Sequence, residues 1–337
     1  MIYRHNNFDL KSYNTFNIKA TANQLIKFTS VAEIQHIINY GELLNSKIFI
    51  LGGGSNLLFT KNFEGIILKS EINGIELILE DDENIELKVG SGVVWDTFVK
   101  YAVENNYYGC ENLSNIHGNV GASAVQNIGA YGVEAKDIIT KVECVSLKTG
   151  EILILKNKDC KFEYRNSVFK SEEKNKYLIT NVYFQLSKKK NFNLEYANLK
   201  QEFISGNELT LEAVRSKIIE IRQNKLPDIK QFGNAGSFFK NPIIDSYAFE
   251  KLHAKYPTMP YFELEENNFK IPAGWLIENA GWKEKPANNV SVYHKQALVI
   301  INLGNATAED IINYSNSIVK DVINKYGIKI EKEVIFV

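Results

Sequence analysis

Cysteine is scarce: the 337-residue chain has three, Cys110, Cys144 and Cys160. The number is odd and no two are spaced C-x-x-C, so neither a disulfide framework nor a metal site is expected. Long apolar runs are missing as well. No stretch approaches the about 20 residues of a membrane span, and Met1–Leu10 (MIYRHNNFDL) has no apolar run of signal-peptide length. A soluble, cytoplasmic chain with no membrane partner is expected. There is no excess of one charge, since 39 Lys and Arg balance 40 Asp and Glu. That argues against a nucleic-acid partner but leaves room for a local basic pocket that holds a phosphorylated ligand. At 45% hydrophobic and 23% charged, the composition is globular. The length suits two or three domains of about 150 residues.

Regular elements are legible over much of the chain. Ser30 with Glu33 forms a capping box, and Ile34, Ile37 and Ile38 make a helical stripe expected to end near Asn45. Strands are expected at Ile48–Leu51, Gly65–Lys69, Ile75–Leu79 and Ile85–Val89. A helix over Val94–Asn105 buries Trp95, Phe98, Val99, Ala102 and Val103. Further strands fall at Lys141–Leu147, Ile152–Leu155 and Tyr177–Leu186. Thr210 caps a helix through Val214, Ile218 and Ile221 that must stop before Pro227. A helix near Gly274–Asn279 and a strand at Ala297–Ile301 follow. Thr307 starts an amphipathic helix that Gly327 ends, and the terminal IKIEKEVIFV alternates as a strand would.

Two glycine segments interrupt this regularity. The first, Gly52-Gly53-Gly54-Ser55-Asn56-Leu57, follows a strand but lacks the third glycine of G-x-G-x-x-G, and no helical stripe comes after it. A Rossmann dinucleotide site is therefore disfavoured. The segment is either a tight turn or a phosphate cradle, because consecutive glycines let backbone amides approach an anion. The second, IHGNVGASAVQNIGAYG, has neither helical nor strand periodicity, and a long glycine-bearing loop is more often functional than not. Ser55, Asn56, Ser123, Gln126 and Asn127 would give the pair polar edges for a ring system and its phosphates.

LGGGSNLL, QNIGAYG, CKFEYRNSVFK, GNAGSFFKNP and IEKEV occur in an order and spacing that resembles the UDP-N-acetylenolpyruvoylglucosamine reductase family. The likeness runs from Asn14-Thr15-Phe16 to the C-terminus. The stretch around Leu194-Glu195-Tyr196 is similar to the longer subfamily, in which a tyrosine loop closes over the substrate. The resemblance implies an α+β fold: a vanillyl-alcohol-oxidase-type FAD-binding region in two subdomains, 1–70 and 71–210, and a C-terminal substrate domain, 211–337. It also implies FAD as cofactor, NADPH as hydride donor, a UDP-sugar substrate and a monomer. The matching catalytic positions are Arg165, Ser237 and Glu333. The FAD positions are Gly52, Gly53, Gly54, Ser55, Asn56, Leu57, Gly121, Ala122, Ser123, Gln126, Gly129, Tyr131 and Arg222. Those for the UDP-sugar are Tyr196, Lys225, Asn241 and Gln296.

Taken alone, these residues also have plainer readings. Ser237 would be a turn residue in a Gly/Asn loop, Glu333 part of a solvated face with Lys329 and Glu331, Arg165 a surface arginine and Lys225 a cation at a helix C-terminus. Some residues depart from the family pattern: His117 and Ala124-Val125 stand where prolines are usual, and KEKPANNVS replaces a glycine-bearing stretch. Two other functions share the glycine segments, a flavin oxidase or dehydrogenase of the same fold and a non-catalytic UDP-sugar or flavin binder.

Overall fold

The computed structural model describes residues 1–203 and 209–337. Its contacts divide the chain into two units. One comprises Met1–Phe8, Ala22–Gly53 and Glu64–Arg222; the other comprises Asp9–Thr21, Gly54–Phe63 and Gln223–Val337. This division is interleaved, unlike the linear one drawn from the sequence. The physical reason is local: Phe16, Ile18 and Leu58 are buried in the same core as the C-terminal helices.

In the first unit, a four-stranded sheet runs in the order Tyr3–Asp9, Thr21–Phe28, Phe63–Ser70, Ile48–Ile50. Helix α1 (Val31–Asn39) buries Ile34 and Ile37 in the core it shares with this sheet. The Ser30 hydroxyl accepts from the Glu33 N–H at 3.2 Å as expected, while the Glu33 carboxylate accepts from Thr29 N–H at 2.8 Å. The helix ends at Asn39 rather than near Asn45, because the chain reverses at Gly41 with φ 73°.

A second, antiparallel sheet runs Ile152–Lys156, Ile139–Ser146, Tyr177–Ser187, Asn84–Gly90, Ile75–Glu80. Helix α2 (Trp95–Glu104) packs Phe98 on Phe184 with ring centroids 4.5 Å apart, and Trp95 Nε1 donates to the Leu113 carbonyl at 2.8 Å. The second glycine segment contains helix α3 (Val120–Val125), and α4 (Leu211–Lys225) follows later. All three cysteines are free and buried, and burial pushes the Cys144 and Cys160 thiols up to about 12.

In the second unit, α5 (Ser246–Lys255), α6 (Ala273–Asn279) and α7 (Ala308–Tyr326) share a core with the hairpin Val290–Tyr293/Gln296–Asn302. The α7 caps are those read from the sequence. Thr307 and Asp310 form a reciprocal capping box, and Gly327 closes the helix at φ 70°. The C-terminal strand is shorter than expected. Ile335–Phe336 forms a strand, parallel to Leu57–Leu58, and Lys332 makes an isolated bridge to Phe239. The alternation is real, since Ile328, Ile330 and Val334 are buried, but it reports one buried face and not a continuous ladder.

Candidate active site

The two glycine segments meet in the first unit, backbone against backbone. A Cβ on Gly52 would stand 3.0 Å from the Ala122 Cβ, and one on Gly53 would stand 2.8 Å from the Gly118 Cα. Gly121 is as tightly placed, with its missing Cβ 2.7 Å from that of Ser91. Lys69 Nζ donates to the Gly52 carbonyl at 2.9 Å, and burial lowers its pKa. Asn119 Nδ2 holds the other side through Gly92 O at 2.7 Å. Gly52, Gly53 and Gly121 have little room for a side chain of their own, and glycine backbone can bring its amides close to an anion. That chemistry fits the pyrophosphate of FAD.

At Gly54 the chain passes into the second unit. This glycine has φ 68°, and a Cβ on it would lie 2.0 Å from the Tyr13 carbonyl oxygen. Ser55, Asn56 and the buried Leu57 follow, and Asn56 O accepts from Ile335 N–H at 3.1 Å.

Several predicted cofactor residues are visible in detail. Ser123 is buried and its hydroxyl donates to Val120 O at 2.7 Å; Gln126 is half-buried. Asn127, expected to offer a polar edge, is fully buried. Its amide is spent on the Glu134 carboxylate, the Glu163 carbonyl and the Lys136 N–H, so it braces the loop from inside. Gly129–Ala130 and Val133–Glu134 pair as a tiny hairpin whose two turn residues, Tyr131 and Gly132, have φ 49° and 81°. A non-glycine residue in that conformation costs about 1–3 kcal/mol, a strain that gathers at functional sites.

Arg165 is held beside this hairpin. It is also left-handed, φ 56°, in a tight turn closed by reciprocal Glu163–Asn166 backbone bonds. Its Nη2 donates to Gly129 O at 2.6 Å, its Nη1 lies 3.8 Å from Glu134 Oε1, and the Tyr164 ring is 5.1 Å away. A Cβ on Gly129 would sit 2.8 Å from Nη1, which explains the glycine. Arg222, on α4, donates from Nε to Asn115 O at 3.2 Å and hydrogen-bonds Tyr131; burial lowers its pKa.

The second unit brings Ser237 and Glu333 onto paired backbone. The Gly233–Asn241 stretch bends at Gly236, where φ is 68° and Asn234 Oδ1 accepts the Gly236 N–H at 3.0 Å; from there it pairs, with Ser237 bridged to Val299, Phe239 bridged to Lys332, and Glu333 N–H donating to Phe238 O at 2.8 Å. The buried Phe238 and Phe239 hold it there. Glu333 is half-buried while Lys329 and Glu331 are exposed, so it does not share their solvated face. Asn241 Oδ1 accepts from Ala273 N–H at 2.9 Å at the start of α6, and Gln296 Oε1 would lie 3.4 Å from a Cβ on Gly274 in that same turn. Lys225 is exposed at the end of α4. The Tyr196 side chain lies outside the described residues. In KEKPANNVS, Glu284, Asn288 and Asn289 adopt φ 54°, 47° and 60°. Asparagine tolerates this region, so it can fill bends that glycine would otherwise take. The roles of Lys69 and Asn119 had no sequence signal, since each acts through a contact distant along the chain.

The chain matches two family models: "UDP-N-acetylenolpyruvoylglucosamine reductase, C-terminal domain" over residues 228–337 and "FAD binding domain" over residues 22–156. It is 46% identical over 330 residues to the UDP-N-acetylenolpyruvoylglucosamine reductase of Bacteroides fragilis strain YCH46, covering 98% of this chain and 99% of that protein. The Flavobacterium johnsoniae protein of the same name is 45% identical, with 97% and 98% covered. The crystal structure of the Thermus caldophilus UDP-N-acetylenolpyruvylglucosamine reductase superposes with a TM-score of 0.68 at 20% identity, covering 100% of this chain and 98% of that one, a likeness of fold.

Proposed function

The chain belongs to the UDP-N-acetylenolpyruvoylglucosamine reductase family, an FAD-binding oxidoreductase of the vanillyl-alcohol-oxidase fold type, and we propose that it uses NADPH to reduce UDP-N-acetyl-3-O-(1-carboxyvinyl)-glucosamine to UDP-N-acetylmuramate. The reaction would serve peptidoglycan precursor synthesis in the cytoplasm, with the protein acting as a monomer. In this reading the FAD-binding subdomains are drawn from 1–70 and 71–210 and the substrate domain from 211–337, except that Asp9–Thr21 and Gly54–Phe63 fold with the second unit and the chain up to Arg222 with the first.

FAD held by the two glycine segments would supply hydride transfer from NADPH to C3 of the enolpyruvyl group. Saturation at C3 drives negative charge through C2 into the carboxylate, so the protein must stabilise an enolate-like dianion and protonate C2. Arg165 offers a planar fork suited to the carboxylate. Ser237 delivers the proton; as a weak acid, its hydroxyl needs a hydrogen-bonded neighbour to supply or relay it. Glu333 assists when protonated or bridged by water, since a bare carboxylate would oppose the developing charge. Lys225 meets a phosphate as a point charge, and Tyr196, Asn241 and Gln296 complete the UDP-sugar contacts. The observation that supports this reading most is the bond from Glu333 N–H to the carbonyl of Phe238, the residue after Ser237, which brings the two candidate segments onto adjoining backbone.

An anaerobic spectrum tests it. NADPH should bleach the flavin of the purified protein, and the enolpyruvyl UDP-sugar should restore it. Restoration by oxygen alone, with none by the substrate, would identify an oxidase instead.

A further inference from the structure

Seven residues before Arg222, and so two turns away on the same face of α4, stands Arg215. Its guanidinium grips Asp96 of α2 with both nitrogens, Nη1–Oδ1 and Nη2–Oδ2 each at 2.8 Å. Asp96 Oδ1 also accepts the Asn115 backbone N–H at 2.5 Å, while Arg222 takes the carbonyl oxygen of the same residue at 3.2 Å. The two arginines of one helix face therefore converge, Arg222 directly and Arg215 through Asp96, on the two peptide groups that flank the Asn115 Cα. Asn115 has φ 58°, a left-handed bend that asparagine tolerates. Burial opposes the ionisation of Asp96, but Arg215, the Asn115 N–H and His117 outweigh it and lower its pKa.

Three residues beyond Asn115 comes Gly118, whose Cα marks the close approach to Gly53 and whose carbonyl accepts from Trp95 N–H at 3.0 Å, at the start of α2. We propose that Asp96 and Arg215 are positioning residues for FAD binding: together with Arg222 they fix Asn115 and so hold Gly118 against Gly53. The pair touches no reacting atom and acts through the loop. The proposal rests on the reading of the two glycine segments as the FAD cradle.

The test titrates purified apoprotein with FAD, following flavin fluorescence, for the wild type, Asp96→Ala, Asp96→Asn and Arg215→Leu, with apoprotein melting measured beside it. Asp96→Ala and Arg215→Leu should weaken FAD binding roughly 10- to 100-fold, the effect of losing a hydrogen bond to a charged group. Asp96→Asn keeps an acceptor for the Asn115 N–H and should recover part of that loss. FAD affinities within about twofold of wild type in both Asp96→Ala and Arg215→Leu would overturn the clamp. So would Asp96→Asn binding as poorly as Asp96→Ala with melting falling in step, because that marks a purely structural pair. A wild-type protein that binds no FAD would instead remove the cradle reading, and the clamp with it.

Discussion

Gly53→Ala probes the meeting of the two glycine segments with a single added carbon. Its Cβ would lie 2.8 Å from the Gly118 Cα, whereas ordinary contact begins at 3.4 Å. Both partners are backbone, so no side chain can swing aside, and the segments must part by about 0.6 Å. Overpacking of this kind costs about 1–3 kcal/mol. In the apoprotein the two loops can relax away from each other. Binding must then restore the approach, so most of the cost should appear as lost FAD affinity, about 5- to 150-fold. The assay is FAD titration of apoprotein, with melting curves with and without saturating FAD. Unchanged affinity with a lowered apoprotein melting temperature would refute the reasoning and make the contact a scaffold. Gly54→Ala sets the other limit. With φ 68° and a carbonyl oxygen 2.0 Å from the new carbon, it should yield little folded protein.

Ser237→Ala should lower turnover by roughly 10²–10⁴-fold, the usual worth of general acid catalysis, while NADPH still reduces the flavin at nearly the wild-type rate. Stopped-flow comparison of the two half-reactions decides it, and intact substrate-driven reoxidation would move the proton donor to another residue, with Glu333 first in line. Arg165→Lys should slow reoxidation by substrate more than reduction by NADPH, because a point charge cannot replace a planar fork; equal losses would point to a folding or flavin-binding defect. Glu111 is buried, accepts the Gly109 N–H at 2.7 Å, and has a pKa raised by burial. A carboxyl raised on folding contributes stability below its unfolded pKa and loses it as pH rises through the folded one. The melting temperature of Glu111→Gln, relative to wild type, should therefore climb as pH rises from the ordinary glutamate pKa of about 4 through the raised one; a flat difference would contradict this.

Elements whose signals are local were legible in the sequence. Both ends of α7 followed from Thr307 and Gly327, and the α2 core face from its apolar spacing. The N-terminal strand Tyr3–Asp9 escaped because its side chains are almost all exposed, which leaves no alternation to read. Ser246–Lys255, capped by Asp245, was missed although its cap bond to Ala248 N–H is regular. The Ser237 stretch misled for a physical reason. Asn234 and Gly236 do make a turn, but beyond it Phe238 and Phe239 are both buried and the backbone pairs with two neighbours. Within the candidate site, the glycines were visible because they lie in two short runs. The groups that hold them were not: Lys69, Asn119 and the Asp96–Arg215 pair act through partners that only the fold brings near.

The central claim is that this chain saturates the enolpyruvyl double bond and protonates C2. It is tested most directly by turnover in D₂O, without oxygen, using NADPH and the enolpyruvyl UDP-sugar, with the product examined by NMR. One substrate should be consumed per NADPH oxidised, giving a lactyl ether with solvent-derived deuterium at C2. NADPH oxidation with the substrate unchanged, or a product with no deuterium at C2, would contradict the account.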